Sequence, residues 1–140
     1  MKYVIGIMGL CLCLVACNSQ EEELDTSTEN EVVETKEDLI VTENGMYTEY
    51  YPGKEKIRFQ GPQDDNKKRN GIWKFYNENG TEQSMTEYRH GLKHGVTIVR
   101  HPNGQIYYTG EYSNDVQIGV WRTYDQNGKQ VSEKDYGTPE

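Results

Sequence analysis

The chain has 140 residues, with 23 acidic and 15 basic side chains and a formal net charge of −8. The excess is confined: residues 18–43 hold ten acidic side chains against Lys36, whereas residues 44–140 hold thirteen of each sign. This excludes an acidic domain surface, and it excludes a basic nucleic-acid face, because the part able to fold is neutral.

The N-terminus reads as an address and an anchor. After Lys2, an almost uninterrupted apolar run extends from Tyr3 to Ala16. Crossing a hydrocarbon core takes about 20 residues as a helix, so this shorter run predicts a secretory signal. It stops at Leu14-Val15-Ala16-Cys17, which resembles the bacterial lipobox. The resemblance implies that residues 1–16 are a cleaved signal peptide. It also implies that Cys17 takes a diacylglyceryl group on sulfur and an acyl chain of the palmitate type on its new amino group. Two or three such chains hold stably to a membrane where one does not. The plainer alternative is an ordinary secretory signal with an incidental cysteine. Cys11 and Cys13 leave with the signal, so the foldable region is expected to have no disulfide, thiolate metal site or cysteine nucleophile.

Residues 17–43 then form an acidic tether. Rich in Glu, Asp, Ser and Thr, the segment buries too little apolar surface to fold. Its one apolar cluster, Leu39-Ile40-Val41, is where order would begin. The bland reading is a solvated spacer. The sharper one is sorting: Glu21-Glu22-Glu23 after the lipidated cysteine looks like the acidic export signal of Bacteroidetes surface lipoproteins. The expected location is the bacterial cell envelope, at the outer membrane and its outward surface.

Residues 44–137 are a repeat domain. Gly71–Gly80 (GIWKFYNENG) returns at Gly95–Gly104 (GVTIVRHPNG) and at Gly119–Gly128 (GVWRTYDQNG), a period of 24. Glu87-Tyr88, Glu111-Tyr112 and Asp135-Tyr136 keep the same spacing, and a degraded copy starts at Gly45. The copies run at about 45–70, 71–94, 95–118 and 119–137. Asn79-Gly80, Asn103-Gly104 and Asn127-Gly128 predict two-residue type I′ hairpin turns. Tyr, Trp, Thr, Val and Ile in the flanking runs favour strands. The expectation is an all-β, single-layer antiparallel meander of four hairpins and about eight strands.

The pattern resembles the MORN-type repeat, in the bacterial variant of the antitoxin proteins of the YwqK family. Gly71, Trp73, Tyr76, Asn79 and Gly80 carry it, as do Gly119, Trp121, Tyr124, Asn127 and Gly128. The middle copy departs, with Thr97 and Arg100 in the aromatic places. The resemblance implies architecture more than activity, since repeat folds host many functions.

A two-residue turn at Asn79-Gly80 sorts the side chains into two faces. One carries Trp73, Phe75, Tyr88, Val99, Tyr108, Tyr112, Trp121 and Tyr136, with Gly110 opposite Thr97. The other carries Ile72, Tyr76, Met85, Val96, Ile98, Tyr107, Val120, Tyr124 and Val131, with Arg122 facing Glu133. Both faces are partly aromatic, which predicts a bending sheet, a groove or an oligomer. Trp73, Tyr76, Tyr88, Tyr107, Tyr108, Tyr112, Trp121 and Tyr124 are the candidate partner-binding residues; alternatively these aromatics simply build the core.

Catalytic signatures are absent from the sequence. His90, His94 and His101 are expected in solvated loops rather than at a metal, and Lys67-Lys68-Arg69 in a polar loop. Glu87, Glu111 and Asp135 are spaced along the sheet and do not converge. The expectation is a non-enzymatic, cofactor-free, lipid-anchored protein that binds another protein, with an antitoxin or immunity role implied by the resemblance. The alternative is an envelope scaffold that binds lipid or cell-wall glycan.

Overall fold

Strand-favouring runs separated by Asn–Gly and Asn–Asp pairs fold back on one another in chain order. The computed structural model describes residues 34–138. A single 3₁₀ turn, Glu37–Leu39, precedes nine strands. They are β1 (Ile40–Glu43), β2 (Met46–Tyr50), β3 (Ile57–Pro62), β4 (Gly71–Tyr76), β5 (Glu82–Arg89), β6 (Leu92–Arg100), β7 (Ile106–Ser113), β8 (Val116–Tyr124) and β9 (Gln130–Asp135). Each strand pairs antiparallel with the next, in one sheet ordered β1 to β9. Among the described residues no helix is long and apolar enough to cross a membrane. The expected signal peptide, the expected lipidation site Cys17 and the acidic residues up to 33 lie outside the described residues.

The sheet has one strand more than expected, because order begins before residue 44. Asn44 and Gly45 both have positive φ, 50° and 76°, and form a two-residue turn that pairs Glu43 with Met46. This turn folds the apolar Leu39-Ile40-Val41 cluster back on β2, with Ile40 opposite Glu49. The C-terminal end of the expected tether is therefore part of the sheet.

The turn types exchange places relative to the sequence reading. At Asn79-Gly80 the loop has three residues, closed by Asn77 N–H donating to the Thr81 carbonyl at 2.9 Å. Gly80 N–H donates back to the Asn77 carbonyl at 2.8 Å. Gly80 has φ 85°, while Asn79 is not left-handed. This is a type I turn followed by a glycine bulge, and the same closure recurs before Gly104 and Gly128. Type I′ geometry, with positive φ at both central residues, lies instead between repeats, at His90-Gly91 and Asn114-Asp115. The strand register nevertheless agrees with the expected one. A second irregularity at Phe75/Tyr76 restores the rungs, so that Phe75 faces Ser84 and Trp73 faces Thr86. Thr97 likewise faces Gly110, and Arg122 faces Glu133 across an exposed ion pair of 2.9 Å.

Which face is buried is decided by one transverse row of side chains. Tyr47 pairs with Gly61, and a Cβ at Gly61 would overlap the Trp73 indole. Trp73 pairs with Thr86, Thr86 with Thr97 and Thr97 with Gly110, while a Cβ at Gly110 would overlap Trp121. Each tryptophan thus lies flat over a glycine of the preceding strand. Between them, the Thr86 and Thr97 hydroxyls meet at 2.7 Å. Trp73 is 1% exposed and is the one fully buried large side chain among the described residues. Truncating such a residue typically costs about 3–5 kcal/mol. The opposite face stays open, with Ile72 51% and Val131 59% exposed.

Candidate functional site

The core-side face holds two aromatic groups separated by the threonine pair. In the first, Tyr47, Phe59 and Tyr88 surround Trp73, and Phe75 joins through Phe59, with ring centroids 5.7 to 6.4 Å apart. Arg69 closes it. Its guanidinium carbon is 4.5 Å from the Trp73 ring, 5.3 Å from Phe75 and Tyr88, and 5.6 Å from Phe59. A guanidinium over aromatic faces is attracted by their negative π-clouds. Arg69 is therefore a lid on the first group, whereas the sequence reading placed it in a polar loop. The indole N–H of Trp73 donates to the Pro62 carbonyl at 2.8 Å, which fixes the ring.

The second group surrounds Trp121. Tyr112 and Tyr136 meet the indole edge-on, at 5.0 and 6.2 Å, and Tyr108 lies tilted at 5.8 Å. Burial pushes the Tyr108 hydroxyl above its ordinary pKa, with nearby Lys93 opposing that shift. An open hollow of about 300 Å³ lies against these four rings. Gln117, Thr123, Ser132 and Lys134 complete its wall, and it contains no carboxylate. Lys93 Nζ lies 4.8 Å from the Tyr112 ring, and Lys134 Nζ 4.3 Å from the Tyr136 ring.

The eight candidate aromatics divide accordingly. Tyr108, Tyr112 and Trp121 come together at the hollow. Trp73 is buried and presents no surface; with Tyr88 it belongs to the group beneath Arg69. The others do not line the hollow, although Tyr107 meets Tyr108 edge-on at 5.4 Å. The Tyr76 hydroxyl accepts from Gln60 at 3.2 Å. Tyr107, 44% exposed, packs on His101 at 4.8 Å. The Tyr124 carbonyl lies 2.9 Å from His101 Nε2. Tyr136, Lys93 and Lys134 were missed as site residues. The available signal was the period itself, since Arg69, Lys93 and Gln117 are spaced at 24 residues.

Two of the three histidines, His90 and His101, make polar contacts within the chain. His90 Nδ1 meets Asp64 at 2.8 Å. That hydrogen bond, with backbone donation from Lys68, holds the Asp64 carboxyl below its ordinary pKa. His94 lies in β6 and not in a loop, and its Nδ1 is buried without a partner. No group of three or more His, Cys, Asp or Glu side chains is placed to hold a metal among the described residues.

Two of these hairpins are similar to a known repeat. The family described as MORN repeat variant matches residues 69–90 and 93–114. These two stretches are MORN repeats. Each MORN stretch begins with the cation that lies over aromatic rings, Arg69 in one and Lys93 in the other, and each spans one hairpin, β4–β5 or β6–β7. The hairpin β8–β9 continues the period with Gly119, Trp121, Tyr124 and Gly128. No curated protein matches the chain.

Proposed function

We propose that this chain is a bacterial lipoprotein, held to the envelope membrane through acylated Cys17, whose MORN-repeat sheet binds a protein partner without catalysing a reaction. The observation that carries the reading is the open aromatic hollow around Trp121. Tryptophan and tyrosine concentrate binding energy at protein interfaces, and repeat sheets present extended surfaces suited to this use. The acidic segment after Cys17 then serves as the spacer. In the sharper form of the proposal, drawn from the YwqK-family resemblance, the partner is a toxin and the sheet masks it.

Crosslinking on intact cells tests the reading. One stoichiometric protein captured by the wild-type chain, together with an acylated Cys17 in the mass spectrum, is the expected result. Recovery of lipid or wall glycan with no protein would replace it with the scaffold role. An unmodified Cys17 thiol would remove the anchor.

A further inference from the structure

The MORN repeats provide an internal comparison. The first aromatic group is sealed by Arg69, and its Trp73 is 1% exposed. At the equivalent place two periods on, Gln117 leaves Trp121 half-buried beside the open hollow. The site is therefore built like the first group but lacks its own lid.

Two further observations define what fits there. Lys93 and Lys134 lie over the tyrosines that flank Trp121, and neither is in an ion pair among the described residues. With no carboxylate in the wall, a cationic occupant meets two like charges and an acidic one meets two counter-ions. The hollow also adjoins the edge of the sheet. β9 pairs only with β8, and all six of its residues are exposed. Its outer N–H and C=O groups form a template for an added strand. Ser132 and Lys134 of β9 line the hollow. Alternate side chains of an added strand fall on the same face, so one of them would lie beside Lys134.

We propose that the Trp121 hollow and the outer edge of β9 form one docking site for an extended, acidic segment of a partner protein. This rests on the protein-binding reading above. A carboxylate of the partner pairs with Lys134, and a neighbouring aromatic or apolar side chain enters the hollow against Trp121.

The test uses the mature, lipidated protein in detergent and a fluorescent copolymer of Glu and Tyr as the probe, read by anisotropy. A copolymer of Lys and Tyr is the control. The acidic copolymer should bind, more tightly at low salt, and the basic one should not. Lys134→Glu should weaken binding by about tenfold or more. Glu133→Lys, on the same exposed strand but the opposite face, should not weaken it; circular dichroism checks that both variants keep the sheet. Equal binding to wild type and Lys134→Glu would overturn the site, as would preferential binding of soluble cell-wall sugar oligomers over the copolymer. A cell-surface protein crosslinked equally by wild type and Lys134→Glu would also overturn the site, while leaving the protein-binding reading standing.

Discussion

Gly61 and Gly110 show how much a single position determines. Neither needs a left-handed backbone; each is small because an indole lies on it. Gly61→Ala should destabilise the protein by about 1–3 kcal/mol, the usual cost of overpacking. Both indole N–H groups donate to backbone carbonyls, Trp73 to Pro62 and Trp121 to Ile118, but Trp73 cannot move away because Arg69 covers it. Gly110→Ala should cost less, because Trp121 has the hollow to move into. Urea unfolding of both variants checks the order, and equal losses would contradict it. The opposition of Gly110 and Thr97 was legible from strand alternation. The seating of each tryptophan on a glycine of the preceding strand was not, because it depends on how the side chain leans across the ladder.

At the scale of the element, the hairpins were readable and their turns were not. The period of 24 and the Asn–Gly pairs located every hairpin in the last three copies, and the rungs beyond each bulge agree. The same Asn–Gly pair suits either a two-residue type I′ turn or a three-residue type I turn with a glycine bulge. The side chain that opens the last loop decides: Asp125 accepts from the backbone N–H groups of Asn127 and Lys129, both at 2.9 Å. The two turns make different predictions. With Asn127 outside the left-handed region and Gly128 at φ 81°, Asn127→Ala should change stability by under about 0.5 kcal/mol. Gly128→Ala should cost about 1–2 kcal/mol for forcing a Cβ into a left-handed conformation. Thermal melts of the two single variants measure this, and similar losses for both would favour the type I′ turn.

Across the whole described sheet, each strand contacts mainly its two neighbours, so stability is close to a sum of repeat and interface terms. The largest burial sits at β4 around Trp73, whereas β9 is exposed along its whole length. Hydrogen exchange should therefore be fastest in β9 and slowest in β4 to β6, since local opening follows the loss of few buried contacts. Uniform protection from β2 to β9 would show a single cooperative unit instead. The open edge and the unlidded hollow coincide at this less protected end, which is where the binding proposals lie.

The sequence by itself determined the all-β meander, the repeat period and the strand register, because each follows from local chemistry: strand-favouring side chains, a turn pair and alternation of period two. The domain's first strand was visible only as an apolar cluster in an acidic segment; pairing with β2 made it a strand. Which aromatic face is buried, and which tryptophan is closed and which open, was decided only in the tertiary structure. Trp73 and Trp121 occupy the same repeat position, and what separates them is the residue four places before each, Arg69 over the first indole and Gln117 beside the second. The substitution at that place is visible along the chain, but its effect is not, because Arg69 closes the group by lying also over Phe59, Phe75 and Tyr88, rings of three strands that only the sheet brings together.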